Sequence, residues 1–485
     1  MYEPFCHGQD GFFNTIRKMA QDRREPSAVH VVGNMNWDGL HRPQIYYAMV
    51  AIFSGLFLSV IDGTICNVAL PTIARQLKIS SSDSIWIVNA FQLVVMTLLP
   101  CSALGELFGF KRTYLWGMVF FTVGSLCCAL SGSFVLLVLS RMLQGVGAAM
   151  VMSVNGSLVR LIYPKRHRAK GFGLNATVVA LASVAGPTIS GAILSVASWP
   201  WLFAVNLPFG VLTFFLARRY LPGNPTCVEG RRFDFSSAVL NALTFGLFIG
   251  CVEAFSHGLS FRWIVAGVVL LAGIGTVFVR RQLRQPYPML PFDLLRIPVF
   301  SLSVLTSILS FTSQMLGMVA LPFMFHLTFG MNAAETGLLM TAWPLVIVVA
   351  GPLAGTLATK IHPGLLGGVG LLLMSVGCFL LADVSPSVGY GGLVARLMLC
   401  GFGFGLFQSP NNHLLLSSAP SYRTGGASGM QATARLVGQT TGAALVALLF
   451  YLNGDRAPHA AMWLAGGFTL CGSLVSCSRL RAHRF

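Results

Sequence analysis

One carboxylate stands alone in a long apolar run. Asp62 lies in Ile61-Asp62-Gly63-Thr64-Ile65, and no other charge occurs from Pro43 to Ala74. An ionisable side chain in hydrocarbon costs a few kcal/mol and persists only for a reason. Burial disfavours its charged form and a nearby cation favours it, so a carboxylate balanced between the two can load and release a proton. Arg141 is the matching cation, with no charge between Arg112 and Arg141 or between Arg141 and Arg160. Counting from the ends of their apolar runs, the two reach similar depth, so they are expected to pair across helices, directly or through a water or a glutamine.

Three more charges fall in apolar runs. Arg396 and Arg435 have no comparably deep acid nearby in sequence, and pairing with helix-end carbonyls is expected for both. A role matching that of Arg141 is the alternative. Glu253 lies near the end of its run and reads as an interfacial, water-facing glutamate or a lure for cationic substrate. Trp86, Asn89, Phe91 and Gln92, with Gln314, Met315 and Asn411, are candidates for a mostly apolar pocket with few polar groups. An acid such as Asp62 would favour cationic compounds there.

The elements that carry these residues must be membrane helices. Of 485 residues 55% are hydrophobic and 10% charged, whereas soluble domains carry about 25% charged residues. Each spanning helix needs about 20 mostly apolar residues. Runs of that length lie near 45–68, 85–104, 113–131, 134–156, 172–197, 199–218, 235–255 and 262–279. They continue near 299–324, 334–358, 363–382, 388–410, 427–451 and 460–477, which makes fourteen. The net charge of +17 reads as basic loops on the cytoplasmic side and not as a nucleic-acid surface. With both termini inside, only Arg75, Lys78, Arg262 and Arg456 fall in outer loops.

The chain divides into a cytoplasmic tail (1–44), a six-helix bundle (45–218) and a two-helix insert with its linkers (219–298). A second six-helix bundle (299–477) and a short cytoplasmic tail (478–485) follow. The first tail is polar and reads as disordered, or as an over-long start, since Met35 lies just before the first span. Arg141 to Gly147 is echoed by Arg396 to Gly403. Gly186 and Gly191 are echoed by Gly438 and Gly442, and Ser102 to Glu106 by Gly355 to Lys360. Each echo joins span n to span n+8, and parallel repeats of this kind place substrate between them near the midplane.

Several sites are excluded. The eleven cysteines form no CxxC pair and no Cys/His set at metal spacing. Gly401, Gly403 and Gly405 follow no strand, so they read as helix packing and not as a dinucleotide loop. No Walker lysine motif and no nucleophile–base pair is visible, so neither an ATPase nor another enzyme is expected.

Asp62 to Pro71 resembles the first-helix motif of the fourteen-span drug:proton antiporters of the major facilitator superfamily. Ser102 to Arg112 is similar to the superfamily's loop motif after the second helix, and Arg141 to Gly147 to its fourth-helix motif. Ala185 to Gly191 resembles the antiporter motif of the fifth helix, and Trp199 to Pro208 a stretch typical of the fourteen-span branch. Gln408 to Asn412 and Gly425 to Gly429 also look familiar from the second half. The resemblance covers nearly everything after residue 45. It implies a major facilitator fold, all-α, with two six-helix bundles plus a two-helix insert. It further implies proton coupling through Asp62 and Arg141, no cofactor beyond the coupling proton, and a monomer in the bacterial inner membrane. Some relatives require a periplasmic adaptor.

By the same resemblance Glu106, Lys111 and Arg112 form a cytoplasmic charge latch, although Glu replaces Asp there and Leu107 and Phe110 stand at usually basic positions. Pro187 cannot donate its backbone N–H, so the helix loosens there, and Gly186 and Gly191 admit a close neighbour. The resemblance associates that joint with export. The expected function is proton-driven export of lipophilic, cationic drugs or toxic compounds. The alternatives are a carrier for one metabolite (an organic acid, amino acid or sugar) and a non-transporting sensor on a transporter fold.

Overall fold

The computed structural model describes residues 31–33, 39–98, 105, 108–164, 167–223, 226–228, 234–256, 260–285, 288–385, 387–420 and 423–482. The chain runs through α1 (Gln44–Leu77), α2 (Ser81–Leu98), α3 (Phe110–Ala129), α4 (Phe134–Ile162) and α5 (Arg168–Val196). A single helical turn, Trp201–Ala204, leads into α6 (Asn206–Tyr220). There follow α7 (Phe235–Ser256), α8 (Phe261–Arg284), α9 (Pro298–Phe329) and α10 (Ala333–Leu357). The last four are α11 (Pro363–Ala382), α12 (Tyr390–Ser418), α13 (Thr424–Asn453) and α14 (Ala457–Ala482). Ten helical segments among the described residues are long and apolar enough to cross a bilayer. This is a multi-pass membrane protein.

Local sequence sets where the helices turn. Ser133 caps α4 by accepting a hydrogen bond from the Leu136 amide at 3.3 Å. Asn332 and Glu335 form a reciprocal capping box at the start of α10, which satisfies backbone donors that a helix start leaves open. Gly330, at φ 65°, ends α9 in the left-handed conformation that glycine adopts without strain. Outward faces are apolar: on α8, Trp263, Val268 and Val269 are all exposed, as suits a surface whose solvent is lipid.

Packing repeats along the chain. Within α1–α6, α1 packs on α5 and α6, α2 on α4, and α3 on α4 and α6. Within α9–α14 the same pairs recur eight helices later: α9 with α13 and α14, α10 with α12, and α11 with α12 and α14. The two groups meet where α5 packs on α10, α2 on α13 and α1 on α9, and α7 lies against both α2 and α13. Contacts at one face tie together the start of α1 and the ends of α4 and α6. Leu40 donates to Ile162 O at 3.0 Å, and Tyr47 stacks on Tyr220 at 4.7 Å. This is termed the terminus-side face.

Two expectations change. Val31–Gly33 pairs antiparallel with Thr226–Val228, so part of the first tail is ordered against the linker after α6. At the other end, α14 continues to Ala482, and Arg479 is a buried helix residue. Its placement in the short tail from 478 is corrected: the apolar window ends near 477, but the helix does not.

Candidate functional site

Asp62 on α1 and Arg141 on α4 face each other with both side chains fully buried. Arg141 Nη1 donates to Asp62 Oδ2. The other carboxylate oxygen accepts two amides, from Gln144 Nε2 at 2.8 Å and from Asn206 Nδ2 at 2.9 Å. Gln144 sits one turn after Arg141, since residues three apart share a helix face. Its Oε1 accepts from Arg141 Nη1 at 2.6 Å, and its Nε2 also reaches Ser125 Oγ at 2.8 Å. Asn206 enters from the first residue of α6, just past the short turn that carries Phe203.

The arginine is fixed on its other sides. Nε donates to Ile87 O at 3.1 Å, and the guanidinium lies 4.4 Å above the Phe91 ring and 5.6 Å from that of Phe203. Nη2 is buried without a hydrogen-bond partner among the described residues. Five helices thus converge on one fully buried charge pair. Removing one member of such a pair costs about 3–5 kcal/mol because the other charge stays buried.

Asp62 is also tied mechanically to α5. Three residues on, Ile65 O accepts from Ser190 Oγ at 2.8 Å. A Cβ at Gly186 would lie 2.0 Å from Thr64 Oγ1, so only glycine admits this approach. On its other side α5 meets α10. A Cβ at Gly337 would fall 2.5 Å from Pro187 O, one at Gly191 would lie 3.0 Å from Ala333 O, and Thr188 Oγ1 is 2.6 Å from Thr341 Oγ1. Gly186, Pro187 and Gly191 therefore form a close joint between the two helix groups, away from the terminus-side face.

The other expected residues are distributed as follows. Gln92 Nε2 reaches Met315 Sδ at 3.8 Å across the two groups, and its Oε1 is buried without a partner among the described residues. Asn89 is buried on the same helix, and Gln314 is half-buried beside Met315. Trp86 lines a groove with Phe134, Val138 and Leu139 between α2 and the start of α4. Asn411 lies inside the α9–α14 group, where it donates to Ser307 Oγ at 2.8 Å and accepts from Arg479 Nη1 at 2.6 Å.

Glu106 lies outside the described residues, as does the side chain of Glu253. Lys111 donates to Leu221 O at the end of α6, at 2.8 Å, and Arg112 is exposed. Arg396 and Arg435 are half-buried, with Arg396 Nη1 and Arg435 Nε buried and unpartnered among the described residues. Their expected pairing with helix-end carbonyls is not what these nitrogens do. Gln144, Asn206 and Ser125 were missed as members of the site. Gln144 lies in the Arg141–Gly147 stretch, where a glutamine was one expected bridge, and Asn206 in the Trp199–Pro208 stretch, whereas Ser125 had no signal beyond a polar side chain in an apolar run.

Fold and site together define a membrane transporter. The sequence profile of the Major Facilitator Superfamily matches residues 52–443, with a second match over 302–483, and the chain belongs to that family, whose members are transporters and not enzymes. It is 50% identical over 448 residues to the uncharacterized transporter YebQ of Escherichia coli K12, covering 92% of this chain and 98% of YebQ. It is 30% identical to the riboflavin transporter RibZ of Clostridioides difficile 630 (84% of this chain, 88% of RibZ). Identity is also 30% to the multidrug resistance protein Stp of Mycobacterium tuberculosis CDC 1551 (87% of this chain, 79% of Stp).

Proposed function

We propose that this protein is a proton-coupled exporter of small lipophilic molecules. In this reading fourteen spans form two six-helix bundles flanking the α7–α8 insert, with both termini on the cytoplasmic side of the bacterial inner membrane. The observation that carries it is the fully buried Asp62–Arg141 pair. Every hydrogen bond to the Asp62 oxygens comes from a donor, so the arrangement accommodates the carboxylate form. Oδ1 accepts two of these donors and Oδ2 one, so Oδ2 keeps a lone pair for a proton, and a proton there cancels the charge that holds Arg141. Because α1 carries Asp62 and also seats Gly186 and Ser190 of α5, a change at the pair reaches the α5–α10 joint through a single helix. The recurring helix pairs and the likeness to Stp support the same reading.

The expectation of a cationic substrate drew on Asp62 as an acid beside the pocket, and Arg141 neutralises that acid here. The test is transport by proteoliposomes under an imposed pH gradient. Wild-type protein moves substrate uphill, and Asp62→Asn, inserted in equal amount, does not. Uphill transport retained in that variant would overturn the coupling role. The likeness to RibZ favours a second reading, a carrier for one metabolite, and a protein that moves a single hydrophilic compound and no dye would establish it.

A further inference from the structure

We infer that Arg435, with Gln439 one turn on, forms a binding subsite for the anionic end of an otherwise apolar substrate. This deepens the exporter reading by naming its substrate class. Neighbours on three sides of α13 fix which way residue 435 faces. A Cβ at Gly438 would meet Ile308 O at 2.7 Å, and one at Gly442 would meet Met315 Cβ at 2.9 Å; that side rests on α9. Thr440 Oγ1 lies 3.9 Å from Met96 Sδ, and Leu436 shares an apolar cluster with Phe91, Val95 and Met96; that side rests on α2. Val437 and Met430 belong to clusters that include Phe245 of α7.

At about 100° per residue, Ser428, Ala432, Arg435 and Gln439 occupy the side left over, opposite α7. That side faces the space between the two helix groups. Exposure agrees: Ser428 is exposed and the other three are half-buried, whereas Leu436 and Thr440 are buried. Arg435 is the twelfth of the 30 residues of α13, about 17 Å along the helix from its start. It is therefore well inside the membrane.

Arg435 makes no hydrogen bond or ion pair with any described residue, and its Nε is buried unpartnered. Among described side chains, Asp62 is the one carboxylate far from a helix end, and Arg141 already neutralises it. Arg435 is thus an unpaid positive charge in the space between the groups, and a guanidinium is built to grip planar oxyanions. Gln439 adds amide donors one turn on. About two turns further along α13, where Met315 of α9 meets Gly442, Gln92 Oε1 is a buried acceptor without a partner among the described residues. A molecule with an acidic oxygen at one end, an apolar body and a hydroxyl or N–H about 10 Å away satisfies all of these groups. A lipophilic cation would leave Arg435 unanswered and repel it.

Fluorescein and rhodamine 123 share a ring system and carry opposite charge, so their binding to detergent-purified full-length protein separates the cases. Fluorescence polarisation at pH 8 is expected to show tighter binding of fluorescein. Arg435→Gln should weaken fluorescein binding by about 10-fold or more, the scale of a hydrogen bond to a charged group, without weakening rhodamine 123. Arg435→Lys should restore most of it. If Arg435→Gln does not fold, Gln439→Glu places a carboxylate beside Arg435 and should produce the same selective loss. Equal or tighter binding of rhodamine 123 by wild-type protein, no fluorescein binding, or unchanged fluorescein affinity in the folded variants would overturn the assignment. The readout uses no pH gradient, so its failure is separate from that of Asp62→Asn in proteoliposomes.

Discussion

Two buried polar clusters occupy matching helices and differ in one kind of residue. In α1–α6 the cluster joins α1, α4 and α6 through Asp62, Arg141 with Gln144, and Asn206. In α9–α14 it joins α9, α12 and α14. There Arg479 Nη1 donates to Asn411 Oδ1 at 2.6 Å and to Ser303 Oγ at 3.1 Å, and Nη2 donates to Ser476 Oγ. The first lies far from the terminus-side face and the second close to it, since Asn206 opens α6 and Arg479 nearly closes α14. The second cluster answers its arginine with neutral oxygens only. Arginine does not give up its proton in proteins, so that cluster has one state. A carboxylate opposite an arginine has two, because protonation cancels one charge and releases the other. The matching helices thus carry, near opposite faces, a pair with two charge states in one group and a cluster with one in the other.

The largest expected effect tests that division directly. Asp62→Asn should abolish gradient-driven transport, whereas Arg479→Gln, which keeps amide donors in place, should still respond to the gradient when inserted in equal amount. A folded Arg479→Gln protein that has lost the response would break the comparison. Next in size is stability. Arg141→Met strands a buried carboxylate and should cost about 3–5 kcal/mol, seen as a lower melting temperature in detergent. Combining it with Asp62→Asn should recover much of the loss, because the two sites share one interaction.

The charged pair was legible in the sequence for the reason that makes it costly. Asp62 and Arg141 break apolar runs with no other charge nearby, and hydropathy alone sets them apart. Their company was legible only in part, since a glutamine was one expected link but neither Gln144 nor Asn206 was named as a site residue. Gln144 and Asn206 are neutral, and a polar residue in an apolar run serves packing as readily as a site. Which helix each would meet depends on tertiary contacts that periodicity does not carry. Arg479 was hidden in another way. Ser476, Ser478 and Arg479 lower the local hydropathy, so an apolar window stops near 477 although the helix and its burial continue. Asn411 looked like a pocket residue for want of its partner on α14. The helices themselves were legible because a bilayer demands long apolar runs, and their ends shifted where caps and buried polar residues extend them.

A smaller effect probes the second cluster. Asn411→Ala removes one acceptor from Arg479 and leaves the rest, so it should cost about 1.5–3 kcal/mol, the range for hydrogen bonds to charged groups. Thermal melting measures that loss, and transport under a pH gradient should keep its wild-type dependence. A shifted dependence would mean that the second cluster also takes part in coupling.

Asp234, which leads into α7, is the control and the smallest expected effect. It too collects several donors, from Ser237, Gln285 and Arg281, the last at 3.0 Å. Unlike Asp62 it lies at a helix end, with its side chain 22% exposed. Burial pushes its carboxyl up, but the hydrogen bonds from Ser237, Gln285 and Arg281 outweigh that and hold it well below the usual carboxylate range. A carboxyl lowered by folding adds stability above its unfolded value, near 3.9, and loses it as pH falls through the folded one. The melting temperature of wild type should therefore exceed that of Asp234→Asn by a constant margin from about pH 8 to 5, and the margin should shrink below about pH 4. Transport by Asp234→Asn should keep the wild-type response to a pH gradient. If it does not, multiple donors around a carboxylate are enough for coupling, and deep burial opposite an arginine is not what separates Asp62 from the rest.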